Sequence, residues 1–457
     1  MQKHKLPTYL ATAVSALLYL LLAYGIERPD TVALLSSYAI VFALYVWIIK
    51  SGGAVDLKFW LAAALLFRLL FIGSLPILSD DFYRFIWDGR LIFNGIHPFA
   101  ELPTFYLQPG HTVPGINQAL FDRLNSQHYF TVYPPLAQVV FLLSVYISPD
   151  SILGSVVVMR TLILMAEIGT CFLLVKLFDA AGIKRDKVLI YALNPLIILE
   201  LTGNLHFEAF LIFFVVLCLF LLSRTKIALA GVSMSAAIGA KLIPLIFLPL
   251  FVRRLKTSRW IAFYTSVFIT AVLMFYPLVM SNGFAGLADS LKLYFRSFEF
   301  NASIYYLVRE YGFWTKGYNT IQTVGWKLGV ISAGLIMIVS LWNYELKRGA
   351  NGLALARQSD EWADNLKVIP LVMMWVLSIY LLFATTVHPW YISTLVMLST
   401  LTRYRFAIVW SGLIFLTYSG YTSTGYNESL WIVLVEYLLV IGYLVYELVW
   451  IKKSLSV

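Results

Sequence analysis

The sequence predicts an all-α, polytopic transmembrane protein, and three observations support this fold class. Hydrophobic residues make up 60% of the 457 residues, and only 13% are charged. Long stretches such as 205–222 and 368–383 carry almost no charge, and a bilayer core of about 30 Å needs roughly 20 apolar residues per helical span. The apolar runs are continuous rather than alternating, which indicates helices rather than a membrane β-barrel.

Spans can be assigned in chain order, and they total about 13 or 14. The candidate spans are 6–26, 31–49, 58–78, 152–178, 187–203, 205–222, 260–280, 318–345, 367–387, 389–402, 405–422 and 429–451. Residues 134–148 are too short for a span and are predicted to form an interfacial or re-entrant helix. Residues 227–251 contain two prolines and are predicted to form two short helices that meet near Lys241, an arrangement tolerated where helices line a cavity.

The distribution of charge predicts the orientation in the membrane. The net charge is +10, and most Lys and Arg residues fall in short connections, as the positive-inside rule expects of cytoplasmic loops. This pattern explains the positive charge without a nucleic-acid partner and places both termini in the cytoplasm. Loops 79–132 and 281–316 then lie together on the outer side, where we expect them to carry interfacial helices. The two cysteines lie inside apolar segments and indicate neither a disulfide nor a metal site.

A charged segment stands out in the first of these loops. Residues 77–103, ILSDDFYRFIWDGRLIFNGIHPFAELP, hold the adjacent pair Asp80 and Asp81 and a third carboxylate, Asp88. Ser79 is a suitable cap for a helix with the acidic pair in its first turn. The spacing of apolar and charged residues predicts an amphipathic helix at the outer membrane surface. The alternative is a capped helix in which Arg84 and Asp88 form a surface ion pair with a structural role.

Other polar clusters are predicted to lie on the same face of the membrane. Their sequences are YPPLAQ (133–138), GNLHFEA (203–209), FEFNASIYY (298–306) and VHPWY (387–391). Ionisable residues inside spans are costly in lipid and are functional candidates by default; here they are Arg68, Arg160, Glu167, Glu200 and Lys241. Arg160 and Glu167, two helical turns apart, are alternatively a structural pair. The convergence of the clusters predicts a site roofed by loops.

The residue types in these clusters favour one kind of chemistry. A carboxylate can remove the proton of an acceptor hydroxyl as a general base. Arg or Lys at membrane depth can bind the phosphate of a lipid-linked donor and stabilise it as a leaving group. Aromatic side chains such as Trp87, Trp390 and Tyr391 suit the apolar faces of a sugar ring. We therefore expect glycosyl transfer from a polyprenyl-phosphate sugar.

At these residues the chain resembles the GT-C superfamily of integral-membrane glycosyltransferases. It is most similar to the alpha-mannosyltransferases that depend on polyprenyl-phosphate mannose, which include bacterial enzymes and, more distantly, GPI mannosyltransferase I. The resemblance runs from about Arg68 to Tyr391 and is carried by SDDFYRFIWDGRLIFNGIHPF, YPPLAQ, YALNPLIILELTGNLHFEA, AKLIPLIFLPLF, FNASIYY and HPWY. It implies a GT-C-like catalytic domain over 51–457, preceded by two additional transmembrane helices in 1–50.

The resemblance also implies roles for individual residues. The first member of an acidic pair is usually the catalytic base in such families, so Asp80 is the first candidate and Asp81 the second. Residues predicted to bind the donor phosphate or sugar are Lys241, which matches the Lys of a K-x-x-P segment, Arg160, His206, Glu208, His388, Trp390 and Tyr391. Residues predicted to bind the acceptor or to support the loops are Arg84, Asp88, Arg90, His97, Tyr133 and Asn301.

The expected reaction is an inverting transfer of a hexose, expected to be mannose, to a glycan or lipid acceptor on the outer face of a bacterial inner membrane. The three aspartates are possible ligands for Mg²⁺ or Mn²⁺, but one loop supplying all ligands is a poor metal signature, and no cofactor is predicted. Besides the donor and acceptor, the expected partners are membrane lipids. Two alternatives stay open: a transporter or flippase of a lipid-linked sugar, and a GT-C enzyme that uses another sugar donor.

Overall fold

The structure, a computed structural model, describes residues 5–51, 56–280, 283–342 and 360–454. The structure is 75% helical, and the sheet within the described ranges is a single hairpin of strands β1 (Tyr421–Thr422) and β2 (Gly425–Tyr426). The predicted all-α polytopic class is thus confirmed. Apolar side chains from nearly every helix join one continuous buried core.

Among the described residues up to position 254, the structure has twelve α-helices. They are α1 (Lys5–Tyr24), α2 (Thr31–Lys50), α3 (Leu57–Leu69), α4 (Asp81–Phe93), α5 (Gln118–Phe121), α6 (Pro135–Ile147), α7 (Ile152–Ala181), α8 (Leu189–Ala192), α9 (Pro195–Ile197), α10 (Glu208–Ser223), α11 (Ile227–Ala240) and α12 (Leu248–Arg254). A π-helical turn, Ile198–Gly203, leads from α9 towards α10. Helix α11 ends where Lys241 adopts an extended backbone conformation, so the structure contains the predicted break at Lys241.

The described residues from position 257 onwards form eight more α-helices. They are α13 (Thr257–Met280), α14 (Gly283–Arg296), α15 (Ile304–Lys316), α16 (Ile321–Leu341), α17 (Asp360–Phe383), α18 (Ile392–Leu401), α19 (Phe406–Leu413) and α20 (Leu430–Ser454). Helices α14 and α15 lie in the predicted second outer loop. The short 3₁₀ segment Pro389–Tyr391 joins the α17 connection to α18.

The described residues contain fewer full-length spans than the 13 or 14 predicted. Six helices are long and apolar enough to cross a bilayer, or seven if the pair Pro195–Gly203 and Glu208–Ser223, bent by 113°, is one broken span. Four more apolar helices are only 10–17 residues long: Pro135–Ile147, Ile227–Ala240, Val368–Phe383 and Phe406–Gly420. The predicted number of spans is higher because a hydropathy pattern shows where an apolar run lies. It does not show the turns and bends that divide such a run into shorter helices.

Helix α4 also differs from its prediction as an amphipathic surface helix. Every residue from Phe82 to Leu91 is buried, including Arg84 and Asp88. Helix α6 covers one side of α4 so closely that a Cβ added to Gly89 would lie 2.5 Å from the Phe141 carbonyl oxygen. The charged stripe of α4 therefore faces protein rather than water or lipid headgroups.

Connections from both ends of the chain meet at one end of the bundle. We call this end, formed by residues 27–30, 79–133, 298–303, 384–391 and 421–428, the loop face. The Phe300 amide donates to the Thr385 carbonyl at 3.1 Å, and the Val387 amide donates to the Phe300 carbonyl at 2.8 Å. The Asn301 amide donates to Glu428 at 2.7 Å. These bonds fix the loops that surround the site.

Candidate active site

A cavity of about 390 Å³ opens at the loop face. Its walls come from the start of α4, segment 125–133, segment 298–300, segment 386–390 and the β1–β2 hairpin. Ligand-binding clefts commonly measure about 300–1,000 Å³, so the cavity is large enough for a small polar ligand. We call it the acidic cavity, because Asp80 and Asp81 both line it.

Asp80 presents its carboxylate to this cavity rather than to the helix. It occupies the N-cap position of α4, yet its side chain makes no capping hydrogen bond. Its Oδ2 accepts a hydrogen bond of 2.7 Å from the Arg28 guanidinium, and 42% of the Asp80 side chain is exposed. Arg28 also lies over the ring of Tyr421 at 4.6 Å. A cation from the α1–α2 connection and a ring from the β1–β2 hairpin thus flank this carboxylate.

Asp81 has a different environment from its neighbour. Its Oδ1 accepts a hydrogen bond of 2.7 Å from the Asn125 amide, and its Oδ2 accepts one of 3.1 Å from the Tyr133 hydroxyl. Both donors are neutral, and they come from two parts of the segment that closes the cavity. Asp81 also lies in the first turn of α4, where the helix dipole favours a negative charge. These contacts hold the Asp81 side chain in place, whereas Asp80 has one charged partner.

A buried ion pair beneath the cavity supports its wall. Arg84 Nε donates to Asp88 Oδ1 at 2.8 Å, and the two side chains are 3% and 0% exposed. The amide of Gln138 donates to the other Asp88 oxygen at 3.0 Å. Arg84 further donates to the carbonyls of Ser126 at 3.2 Å and Tyr129 at 2.9 Å. The predicted surface pair is therefore buried, and it anchors segment 126–129 to α4.

Aromatic rings connect the cavity to a second group of charged residues. Trp390, which lines the cavity, lies between the rings of His388 and His206, with centroid distances of 4.4 and 3.6 Å. Lys241 forms an ion pair with Glu208, and its ammonium lies 5.2 Å from the centre of the Tyr391 ring. The structure thus brings together six of the seven residues predicted to bind the donor.

His388 is a neutral member of this group. Burial, with a smaller effect from the charge of Lys241, lowers its pKa to about 3. An ordinary histidine becomes charged when the pH falls below about 6.5. The His388 imidazole instead stays uncharged until the solution is strongly acidic. His388 can donate or accept a hydrogen bond in the cavity, but it supplies no positive charge at neutral pH.

Arg160, the seventh predicted donor ligand, lies elsewhere. Its guanidinium is buried and donates to four backbone carbonyls, those of Ile72, Ser74, Thr202 and Gly203, at 2.6–3.1 Å. It does not pair with Glu167, which binds Arg68 at 2.8 Å instead. The interpretation of Arg160 and Glu167 as a pair is wrong, because Arg160 satisfies carbonyls at the end of the π-helical turn.

Three residues predicted to support the loops, and the ring of Trp87, also lie outside the acidic cavity. Arg90 donates to the Gly115 carbonyl at 2.6 Å and the Pro149 carbonyl at 3.1 Å. His97 accepts a bond from the Phe99 amide at 3.3 Å, and burial lowers its pKa. The Asn301 amide group donates to Glu436 at 3.0 Å. Trp87 is fully buried and packs near Tyr106 and Phe121.

Several cavity residues were not predicted from the sequence. They are Arg28, Asn125, Tyr129, Glu299 and Tyr421. A signal for Arg28 does exist, because it is a cation in the short connection 27–30, which the predicted orientation places outside, where Lys and Arg are uncommon. The others lie in loops whose sequence carries no periodic pattern.

The three aspartates of residues 77–103 do not converge. Asp88 is fully buried against Arg84 and Gln138, whereas Asp80 and Asp81 face the cavity. Within the described ranges, no group of three or more His, Cys, Asp or Glu side chains is arranged to hold a metal ion.

Residues 9–256, more than half of the chain, match the family described as "Alpha-(1->6)-mannopyranosyltransferase, N-terminal domain", of the MptA_B family. The chain belongs to this family. It is therefore a membrane glycosyltransferase of the mannosyltransferase class, which supports the GT-C-like resemblance. The match includes most of α1, all of α2 and Arg28 between them, as well as the acidic pair and Lys241. No curated protein sequence gives a significant match to the chain.

Proposed function

We propose that this mannosyltransferase takes its sugar from a polyprenyl-phosphate donor and transfers it, with inversion, to a glycan or lipid acceptor on the outer face of the membrane. The observation that carries the proposal is the acidic cavity, where a partly exposed carboxylate lies beside a guanidinium at 2.7 Å. A base for the acceptor hydroxyl and a cation for the phosphate are then present at the same cavity.

Asp80 is the proposed general base. Among the described residues its Oδ1 accepts no hydrogen bond, and its side chain is 42% exposed to the cavity, so an acceptor hydroxyl can reach it. Both oxygens of Asp81 are already bonded to Asn125 and Tyr133, which suits a positioning role. In the reaction the acceptor oxygen forms a bond to the anomeric carbon of mannose. The bond from that carbon to the phosphate oxygen breaks, and the hydroxyl proton passes to Asp80.

The leaving group is a polyprenyl phosphate, whose charge needs cationic partners. Arg28 lies at the cavity wall, and Lys241 lies beyond the rings of Trp390 and Tyr391 at the break after α11. A phosphate that accepts hydrogen bonds from such cations leaves more easily. We propose that these side chains neutralise the phosphate without a divalent metal, so that activity should survive removal of metal by a chelator.

A single displacement inverts the anomeric carbon. Because the family is named for alpha linkages, an inverting enzyme requires a beta-linked donor. We infer the side of the membrane from charge, because the positive-inside rule assigns basic connections to the cytoplasm and this leaves loops 79–132 and 281–316 on the outer side. We therefore propose that the cavity opens to the outer side of a bacterial inner membrane and that both termini are cytoplasmic.

The test uses purified full-length protein in detergent with radiolabelled polyprenyl-phosphate mannose and a mannose-containing acceptor. We expect Asp80→Asn to keep donor binding and to lose turnover by a factor of about 10²–10⁴, the usual contribution of a general base. Asp81→Asn should lose less. Asp122→Asn is the matched control, because Asp122 is an exposed residue of the same loop outside the cavity.

Two outcomes would contradict the proposal. Full turnover in both Asp80→Asn and Asp81→Asn would show that the acidic pair is structural. Transport of the labelled donor across proteoliposomes, without release of mannose to any acceptor or to water, would favour the alternative of a lipid-linked sugar flippase.

A further inference from the structure

A buried carboxyl group of α20 contacts a segment that lines the acidic cavity. Glu436 is fully buried, and its Oε1 accepts hydrogen bonds of 3.0 Å from the Asn301 amide group and 2.8 Å from the Trp410 indole. Both donors are neutral, and no cation among the described residues pairs with Glu436. A buried carboxylate is costly unless a cation or several donors balance its charge. The charge state of Glu436 therefore needs an explanation.

The remaining oxygens of this contact suggest one. Glu436 Oε2 and Asn301 Oδ1 are both buried, and neither has a hydrogen-bond partner among the described residues. They belong to the two groups already joined by the bond from Asn301 Nδ2 to Glu436 Oε1. A side-chain amide and a carboxylic acid can form two hydrogen bonds side by side, since each group has a donor and an acceptor. A proton on Glu436 Oε2 would supply the second bond, to Asn301 Oδ1.

A second carboxyl group beside the contact disfavours a charge on Glu436. Glu428 accepts a bond of 2.7 Å from the Asn301 backbone amide, and the hydroxyls of Tyr306 and Tyr426 also donate to it. Two carboxylates that share a site repel each other, which raises the affinity of one of them for a proton. Glu428 is partly exposed and has three donors, whereas Glu436 is buried and has two, both on one oxygen. The proton therefore belongs on Glu436.

The other titratable groups nearby do not balance a charge on Glu436. Tyr437, the next residue of α20, donates its hydroxyl to the Asn301 carbonyl at 2.7 Å. Arg309 of α15 is a cation on this side of the bundle, but its guanidinium pairs with Glu299 at 3.0 Å. Helix α19 contributes the neutral indole described above. The elements packed against Glu436 thus offer it neutral donors and one further carboxyl group.

The contact fixes a wall of the acidic cavity. Asn301 directly follows Glu299 and Phe300, which both line the cavity, and the Phe300 ring lies 4.7 Å from the ring centre of His388. Asn301 has a φ of 44°, in the left-handed region that residues other than glycine adopt at a cost. Its side-chain amide, backbone amide and carbonyl are all bonded to residues of segment 428–437. These bonds hold Asn301 in its strained conformation and keep the preceding residues in the wall.

We propose that Glu436 is a positioning residue that acts as a neutral carboxylic acid: its proton bonds Asn301 and holds segment 298–300 in the wall of the acidic cavity. The inference rests on the proposed function, because this wall affects catalysis only if transfer takes place in that cavity. Ionisation of Glu436 in alkaline solution removes the second bond to Asn301, so the wall loosens and transfer slows. The loop face thus carries a pH-sensitive contact that is separate from the acidic pair.

The experiment compares Glu436→Gln with Glu436→Leu in the full-length enzyme. The Gln amide can form both hydrogen bonds of the neutral acid, whereas Leu can form neither. In Glu436→Leu we expect kcat to fall about tenfold, the effect of losing one buried hydrogen bond, and Glu436→Gln should restore it. Between pH 7 and about pH 9, the ratio of native activity to that of Glu436→Gln should fall.

Glu447→Gln is the matched control, because Glu447 is a buried residue of the same helix with a different pattern of hydrogen bonds. Both of its oxygens accept bonds from the backbone amides of Arg405 and Phe406, at 2.7–3.0 Å. A Gln amide cannot replace two accepting oxygens, so Glu447→Gln should melt at a lower temperature than the native protein. It should nevertheless keep the native decline of activity in alkaline solution.

Two further readouts do not depend on the donor. Above about pH 4.3, where an ordinary Glu loses its proton, the unfolded chain releases a proton that the folded protein keeps. The melting temperature of the native protein should therefore fall, relative to that of Glu436→Gln, as the pH rises. At pH 7, the infrared spectrum of the native protein should contain a band of a protonated carboxyl group that is missing from Glu436→Gln.

Three results would decide the inference. If the native protein lacks this band and Glu436→Gln melts at a markedly lower temperature, Glu436 is ionised and bound by water or a cation, and the inference is overturned. Native transfer activity in Glu436→Leu would overturn the positioning role. If the band and the melting temperatures behave as expected but the native protein consumes no donor, the proposed function fails and the protonated contact stands.

Discussion

Replacement of Arg28 by Gln tests whether the cation beside Asp80 acts on the donor or only on the fold. The pair is partly solvated, with the Arg28 and Asp80 side chains 25% and 42% exposed. Ion pairs in such settings contribute at most about 1 kcal/mol to stability. We therefore expect the melting temperature of Arg28→Gln in detergent to stay close to that of the native protein.

The expected effect on activity is much larger. A hydrogen bond to a charged group contributes about 1.5–3 kcal/mol, and each 1.4 kcal/mol corresponds to a factor of ten. Loss of the contact between Arg28 and the donor phosphate should lower kcat/KM for polyprenyl-phosphate mannose by about 10- to 150-fold. Arg28→Lys, which keeps the charge but not the planar fork of donors, should give an intermediate value.

The assay is steady-state transfer at varied donor concentration, together with binding of the product polyprenyl phosphate. Arg123→Gln is the control, because Arg123 donates to the Tyr83 hydroxyl at 2.8 Å in the same loop and does not line the acidic cavity. Activity of Arg28→Gln within twofold of the native protein would refute the role in donor binding. A large loss of activity with unchanged binding of polyprenyl phosphate would assign Arg28 to the positioning of Asp80 instead.

Two further predictions concern the support of the site and its dependence on pH. Arg84→Met should destabilise the protein by about 3–5 kcal/mol because it leaves the buried Asp88 carboxylate without its cation, and an unchanged melting temperature would contradict this. Burial and the charge of Lys241 lower the pKa of His388 to about 3 in the folded protein, below its value of about 6.5 in an unfolded chain. As the pH falls below about 6.5, the unfolded chain therefore binds a proton that the folded protein does not, and the folded state loses stability. His388→Gln should therefore lose less thermal stability between about pH 6.5 and 5 than the native protein. The decline of its transfer activity at acidic pH should match that of the native protein. Equal losses of stability in both proteins would show that His388 is not buried in its neutral form.

Local features of the fold could be predicted from the sequence. The start of α4 at the acidic pair was predicted correctly, although Asp80 rather than Ser79 occupies the N-cap position and its side chain makes no capping hydrogen bond. The break at Lys241 follows from the prolines that come after it. The convergence of segments 79–133, 298–303 and 384–391 on one face followed from charge and hydropathy, because both properties are set by the membrane. Asp80, Asp81, His388 and Trp390 were expected at the site from the polar clusters and from the family resemblance, whereas Tyr129, Glu299 and Tyr421 were not.

Pairings across long stretches of sequence could not be predicted. Arg28 and Asp80 are 52 residues apart, and no pattern in either segment indicates the other. The charged stripe of α4 suggested a surface helix, because an amphipathic pattern does not reveal whether its polar face meets water or buried partners such as Gln138. Arg160 resembled a phosphate ligand by its position in a span, yet the π-helical turn whose carbonyls it satisfies has no signature in the sequence.

The position of Tyr421 beside Arg28 has a consequence for biosynthesis. The acidic pair is translated early, but the wall opposite it comes from residues 298–300, 386–390 and 421. A nascent chain inserted only as far as residue 256 would hold Asp80 and Arg28 without that wall. Assembly of a closed cavity must therefore await the last hairpin before α20. Such late completion would keep a partly synthesised enzyme from hydrolysing its sugar donor.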